Sequence, residues 1–116
     1  MRPDLLAHEC LDVYQRSIEF LVLVAPILET LPRGNAALAD QLRRASISIP
    51  LNIAEATGKV GGADRARFYA IARGSAMECG AVLDVCRALG ILDEEIARRG
   101  KELLVRVVAM LTKMCR

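Results

Sequence analysis

Asp40-Gln41-Leu42-Arg43-Arg44-Ala45-Ser46-Ile47-Ser48-Ile49-Pro50-Leu51-Asn52-Ile53-Ala54-Glu55 places its apolar residues three and four apart, the period of a helix rather than a strand. At about 100° per residue, Gln41, Arg44, Ser48, Asn52 and Glu55 gather within about 80° of the helix circumference. Leu42, Ala45, Ile49 and Ile53 flank this polar stripe on one side; Ile47, Leu51 and Ala54 flank it on the other. A helix that is greasy on both sides of a polar stripe needs cover on both, which an ordinary surface helix does not have.

The same period continues outward from that stretch. Leu6, Cys10, Val13, Ser17, Phe20, Val24, Ile27 and Leu31 alternate three and four apart and predict a first helix over about Asp4 to Thr30. Pro26 removes one backbone hydrogen bond there and is expected to bend the last turn or end the helix early. Leu31 to Asn35 reads as a loop, with Asn35 a candidate N-cap. The second helix covers Ala36 to Ala56 with Pro50 in its interior, the segment Thr57 to Gly62 turns, and a third helix runs from Ala63 to Leu89. Gly90 has the position of a helix stop, and Asp93 can cap a fourth helix reaching Lys113, with Gly100 as an isolated weak point. No alternating strand pattern competes. Four helices on short connections predict one domain, residues 1–116, in the all-α class: an up-down antiparallel four-helix bundle.

Of the 116 residues, 53% are hydrophobic and only 3% aromatic, so the apolar content is aliphatic and alanine-rich, as packed helices require. A small chain has much surface to keep polar, and the aliphatic excess predicts that other copies cover part of it in a cyclic homo-oligomer. The start MRPDLLAHEC carries acids and no apolar core of a secretory signal, which points to the cytoplasm. Phe20 to Leu28 is too short to span a bilayer, so no membrane partner is expected. Cys10, Cys79, Cys86 and Cys115 have no zinc spacing, and His8 is the one histidine available to help them, so no metal or other cofactor is expected. Cys79 and Cys86, seven apart on one helix, would sit about 10 Å apart, too far for a disulfide.

On the third helix Arg67, Gly74 and Glu78 share a narrow sector with Ser75 beside it, so the two polar stripes could face each other. An Arg44 to Glu78 pair near Asn52 and Ser75, mostly buried at a bundle or subunit interface, is the expected network. Catalysis would need a nucleophile with a base, paired carboxylates or metal ligands. Glu55 and Glu78 are the available carboxylates, yet they lack the Glu-x-x-His companion of di-iron bundles, and no catalytic residue is assigned. Gly58, Gly61 and Gly62 lack the Gly-Lys-Ser/Thr ending of a phosphate loop.

Charge is unevenly spread behind a net value of +2. Five acids stand against Arg16 between Asp4 and Glu29, and six bases stand against Glu102 between Ile96 and Arg116. On the fourth helix Arg98, Arg99, Arg106, Lys113 and Arg116 fall within about 100° of arc, opposite Leu103, Val107 and Leu111. Such a stripe can neutralise phosphates of RNA or DNA, remain a solvated face, or pair with the acidic first helix of the same or a neighbouring subunit. With no aromatic residue to stack on bases, nucleic-acid contact would be to the backbone.

The run Asp40 to Glu55, followed by Arg67-Phe68 and Ala72-Arg73-Gly74-Ser75-Ala76-Met77-Glu78, resembles the four-helix-bundle family encoded within intervening sequences of bacterial 23S ribosomal RNA genes. The resemblance also takes in Leu11 to Gln15, Leu31-Pro32 and Leu89-Gly90. Ala56 stands where the family usually has Gly, and Gly61-Gly62 where a Ser cap is more usual, which bears on where the second helix ends. The resemblance implies a ring-like homopentamer, similar in shape to the accessory variability protein of diversity-generating retroelements, a basic protein that binds nucleic acid and a reverse transcriptase. The functional expectation is a non-enzymatic homo-oligomer that accompanies nucleic acid; the alternative is a protein-protein interaction scaffold with no nucleic-acid role.

Overall fold

The computed structural model describes residues 4–116, and four long helices account for most of them: α1 Asp12–Thr30, α2 Ala36–Thr57, α3 Gly62–Ala88 and α4 Glu94–Met114. No strand occurs among the described residues. Connections of a few residues return each helix alongside its predecessor, and α1 also packs on α4, so the four close into a bundle with α1 and α3 at one diagonal and α2 and α4 at the other. The bundle measures 44 × 28 × 21 Å.

The ends follow local chemistry. Ahead of α1 the chain makes a short 3-10 turn, Ala7–Cys10, and not the early helical turns that the spacing from Leu6 suggests. The Glu9 carboxylate accepts the Leu6 N–H at 2.7 Å, Gln15 Nε2 donates to the Glu9 carbonyl at 3.0 Å, and Leu11 is extended, so α1 begins only at Asp12. His8 lies half-buried in that turn with its ring edge on Tyr14, 4.7 Å between centroids, rather than exposed on a helix. Pro26 does not stop α1. It lies on the exposed side, where the Val22 carbonyl that it leaves unpaired can meet water, and Thr30 Oγ1 donates back to the Pro26 carbonyl at 3.1 Å.

Asn35 occupies the N-cap position of α2, but its side chain donates to the Pro32 carbonyl at 3.0 Å and leaves the helix amides uncapped. Alanine at position 56, fully buried, lets α2 continue one residue further, to Thr57. After α3, Gly90 takes φ +70°, and Ile91 N–H returns to the Cys86 carbonyl at 3.0 Å, the six-to-one bond of a left-handed helix stop. Asp93 Oδ1 accepts from the amides of Glu95 and Ile96 at 2.9 and 3.1 Å and starts α4 as a side-chain cap.

Phe20, Leu42, Ile49, Ile53, Leu83, Val107 and Leu111 fill the centre, with alanines 72, 76 and 97 allowing close approach. Cys79 and Cys86 belong to this core as free thiols. Gly100 is buried where α4 meets α1 and α3: an added Cβ would stand 2.9 Å from Leu83 Cδ1 and 3.4 Å from Phe20 Cε1. The apparent weak point of the fourth helix is a contact point.

Candidate functional site

α2 packs on α3 more extensively than any other pair, and the predicted polar stripes meet along that seam. Ser48 and Ser75 share a hydrogen bond of 2.8 Å. Asn52 Nδ2 donates to both the carbonyl and the hydroxyl of Ser48 at 2.9 Å. Further along, Gln41 Nε2 donates to Glu78 Oε2 at 3.1 Å. At the other end Glu55 pairs with Lys59 at 3.3 Å, and Arg67 lies 3.8 Å from Asp64 with its guanidinium 4.4 Å from the Phe68 ring.

Ser48, Asn52 and Ser75 thus meet across the seam and Gln41 meets Glu78 further along, while the expected Arg44 to Glu78 ion pair is not formed. Arg44 and Glu78 are both exposed in this chain, and Arg44 has no hydrogen-bonding or ionic partner among the described residues. The reason is helical phase: Arg44 sits at the outer edge of the stripe, and Gln41, a turn earlier, stands over Glu78 instead. Nor do Glu55 and Glu78 approach each other. Fourteen residues along a shared helical register put them about 20 Å apart, so no carboxylate pair exists at the seam. The sequence reading missed one buried contact, the 3.1 Å bond between Thr57 Oγ1 and Tyr69 OH. Its signal was Tyr69 itself, because a tyrosine on a core-facing position needs a partner for its hydroxyl.

The basic stripe of α4 is less free than its composition suggests. Glu95, one residue before Ile96, shares its sector, and Arg98 is held between Glu95 and Glu102. The hydrogen bond from Arg98 pulls the Glu95 carboxyl below its usual range, and that bond with the nearby Glu102 charge raises the guanidinium. The three-and-four spacing Glu95, Arg98, Glu102 was the available sign of this pairing. Arg106 comes within 3.9 Å of Asp12 on α1. Arg99, Lys113 and Arg116 are exposed and make no direct ion pair among the described residues, although the Arg99 charge adds to the lowering of the Glu95 carboxyl. A surface concavity of about 820 Å³ lies beside Arg98 and is walled by Arg87, Glu94, Glu102 and Arg106, so its charges largely cancel.

Among the described residues, no three or more His, Cys, Asp or Glu side chains gather as a metal site would need. No described helix is long and apolar enough to cross a membrane. At the seam Ser48, Asn52 and Ser75 satisfy one another while Arg44 stays open to solvent, and the surfaces left open are apolar faces and scattered cations without a direct ion pair.

Residues 9–113 match the family described as 23S rRNA-intervening sequence protein. The chain belongs to that family. A crystal structure of a protein of unknown function from the S23 ribosomal protein family of Bacteroides thetaiotaomicron shares the fold, with a TM-score of 0.82 at 22% identity, covering 90% of this chain and 98% of that one. No protein of curated function matches significantly. The family residues quoted from the sequence map onto both sides of the α2–α3 seam: Ser48, Asn52 and Ser75 join the two helices, and Arg44 and Gly74 face outward.

Proposed function

We propose that the protein is a non-enzymatic, self-assembling helical scaffold of the cytoplasm, a ring of five subunits as the resemblance implies, which works by binding. The outward face of α3 carries this reading. Ala70, Gly74, Met77, Ala81 and Val85 form a continuous exposed face, half a turn away from the buried residues of the same helix. A helix apolar on both faces is suited to two layers of protein, and one chain supplies only one. Leu51 on α2, 63% exposed, and Val105 on α4, 66% exposed, extend the uncovered apolar area. Light scattering at micromolar concentration tests the assembly: a mass of five chains is expected, and a monomeric mass overturns the reading.

A second reading, contact with the phosphate backbone of RNA or DNA, is favoured by one specific observation. Arg99, Lys113 and Arg116 make no direct ion pair, and a ring would repeat them around its axis. The family's association with 23S ribosomal RNA intervening sequences agrees with that role. We rank it second because Arg98 and Arg106, the other members of the stripe, already face carboxylates.

A further inference from the structure

We propose that the groove between α3 and α4 receives the outward ridge of α1 from a second copy of this chain, in a head-to-tail contact. The inference rests on the self-assembly reading and specifies which faces make it. The groove encloses about 500 Å³. Ala76, Gly80, Leu104 and Val108 line its inner part, and its rims are Met77, 54% exposed, and Val105, 66% exposed. Small residues inside and larger ones at the rims leave a furrow shaped for a row of side chains.

The bundle supplies such a row on the opposite side. Ile18, Val22 and Pro26 follow the four-residue spacing that makes a ridge on a helix, with Ala25 beside them. Val22 is 68% exposed and stands nine residues from the buried Val13, about 180° around the helix, so it points straight out. α1 and α3 stand at opposite corners of the bundle and meet through core side chains alone, while the ridge points outward, so one chain cannot seat its own ridge in its own groove. Both faces remain available at once. A contact between two different faces is heterologous and closes into a ring when its rotation divides the circle.

Charge agrees with this pairing and sets the direction. α1 carries Asp12, Glu19 and Glu29 against Arg16, whereas α3 and α4 together carry three more bases than acids. Arg73 marks the groove end where Nε donates to Thr112 Oγ1 at 2.8 Å, and no carboxylate pairs with its guanidinium among the described residues. Glu19 and Glu29, on the flanks of the ridge, face Arg16 at 3.3 Å and Arg43 at 3.7 Å within the chain, and with side chains 49% and 79% exposed they keep an open side towards an incoming cation. At the other end Asp84 and Lys101 neutralise each other at 2.6 Å and present no barrier.

Two exposed positions give a test that does not depend on core packing. Val22→Glu blocks the ridge and Val105→Glu blocks the groove, and circular dichroism should show both variants as helical as the wild type. Each alone is expected to fall to the mass of one chain, 12.6 kDa, at the concentration where the wild type assembles. Mixed in equal amounts they should form a dimer and nothing larger, because the pair retains one intact ridge and one intact groove. A mixture that stays monomeric overturns the head-to-tail pairing. A wild-type oligomer whose mass neither substitution changes overturns the ridge-in-groove contact and leaves self-assembly standing. A wild-type monomer overturns both.

Discussion

Arg44 and Glu78 carry opposite charges on facing helices and do not meet, since helical phase keeps Arg44 at the outer edge, and leaving both in water avoids the desolvation that burial would demand. The seam is therefore held by neutral hydrogen bonds, each contributing about 1 kcal/mol. With Glu78 exposed and bonded to Gln41 alone, Glu78→Ala should lower stability in urea unfolding by less than about 1 kcal/mol, whereas a stranded buried Arg44 would have cost about 3 to 5 kcal/mol. The thiols separate in the same way by environment. Burial, with the adjacent Glu78 charge, pushes Cys79 up to about 12, and burial raises Cys86 as well. Because thiolates are the reactive form, a maleimide at neutral pH should label exposed Cys10 first and leave Cys79 and Cys86 untouched until the chain unfolds. The folded state holds the Cys79 proton more tightly than the unfolded chain does. Its contribution to stability is thus complete below the ordinary thiol value of 9.0 and is lost as pH rises from there towards about 12, which alkaline denaturation curves of the wild type and Cys79→Ala should distinguish.

At the level of elements, α2, α3 and α4 were legible to within a residue or two, since periodicity, Gly90 and Asp93 all act locally. The start of α1 was not. Its apolar spacing extends back to Leu6, yet the Glu9 carboxylate captures a backbone amide and favours the 3-10 turn, a competition that periodicity does not weigh. The candidate site was legible for the same reason in part: Ser48, Asn52 and Ser75 share helical phase, while the pairing of Arg44 depended on side-chain reach across the seam. Gly100 looked like a flaw because helix propensity penalises glycine, but packing decides the position. Gly100→Ala gains up to about 1 kcal/mol in propensity and forces a Cβ to 2.9 Å from Leu83, which like Phe20 is fully buried and has little room to move. Overpacking of this kind costs about 1 to 3 kcal/mol, so thermal unfolding should show a net loss of stability. Asp93→Ala removes the acceptor for two α4 amides and should cost about 1 kcal/mol in the same measurement.

Across the whole molecule, charge is segregated by helix but compensated unevenly, and this governs what the bundle can attract. Acidic α1 and basic α4 lie side by side, and Arg106 to Asp12 bridges them within the chain at 3.9 Å. Field that is cancelled locally cannot be offered to a polyanion, so Arg98, enclosed by Glu95 and Glu102, makes no phosphate contact of its own and acts only by masking those two carboxylates. Within the stripe, Arg99, Lys113 and Arg116 are the cations that make no direct ion pair. If the protein binds RNA or DNA, affinity should be insensitive to sequence and should fall with salt, each neutralised phosphate adding about 0.9 to the negative slope of log affinity against log salt for duplex DNA. Replacing Arg99, Lys113 and Arg116 with Gln should flatten that slope. Replacing Arg98 alone should weaken binding without flattening it, because two released carboxylates repel the phosphates while no phosphate contact is lost. Filter retention across a salt series measures both effects. A wild-type protein that retains neither RNA nor DNA at about 50 mM salt, where phosphate contacts are strong, has no nucleic-acid role of this kind. The unpaired cations of α4 would then serve the contact between subunits, where acidic α1 is the complementary surface at hand.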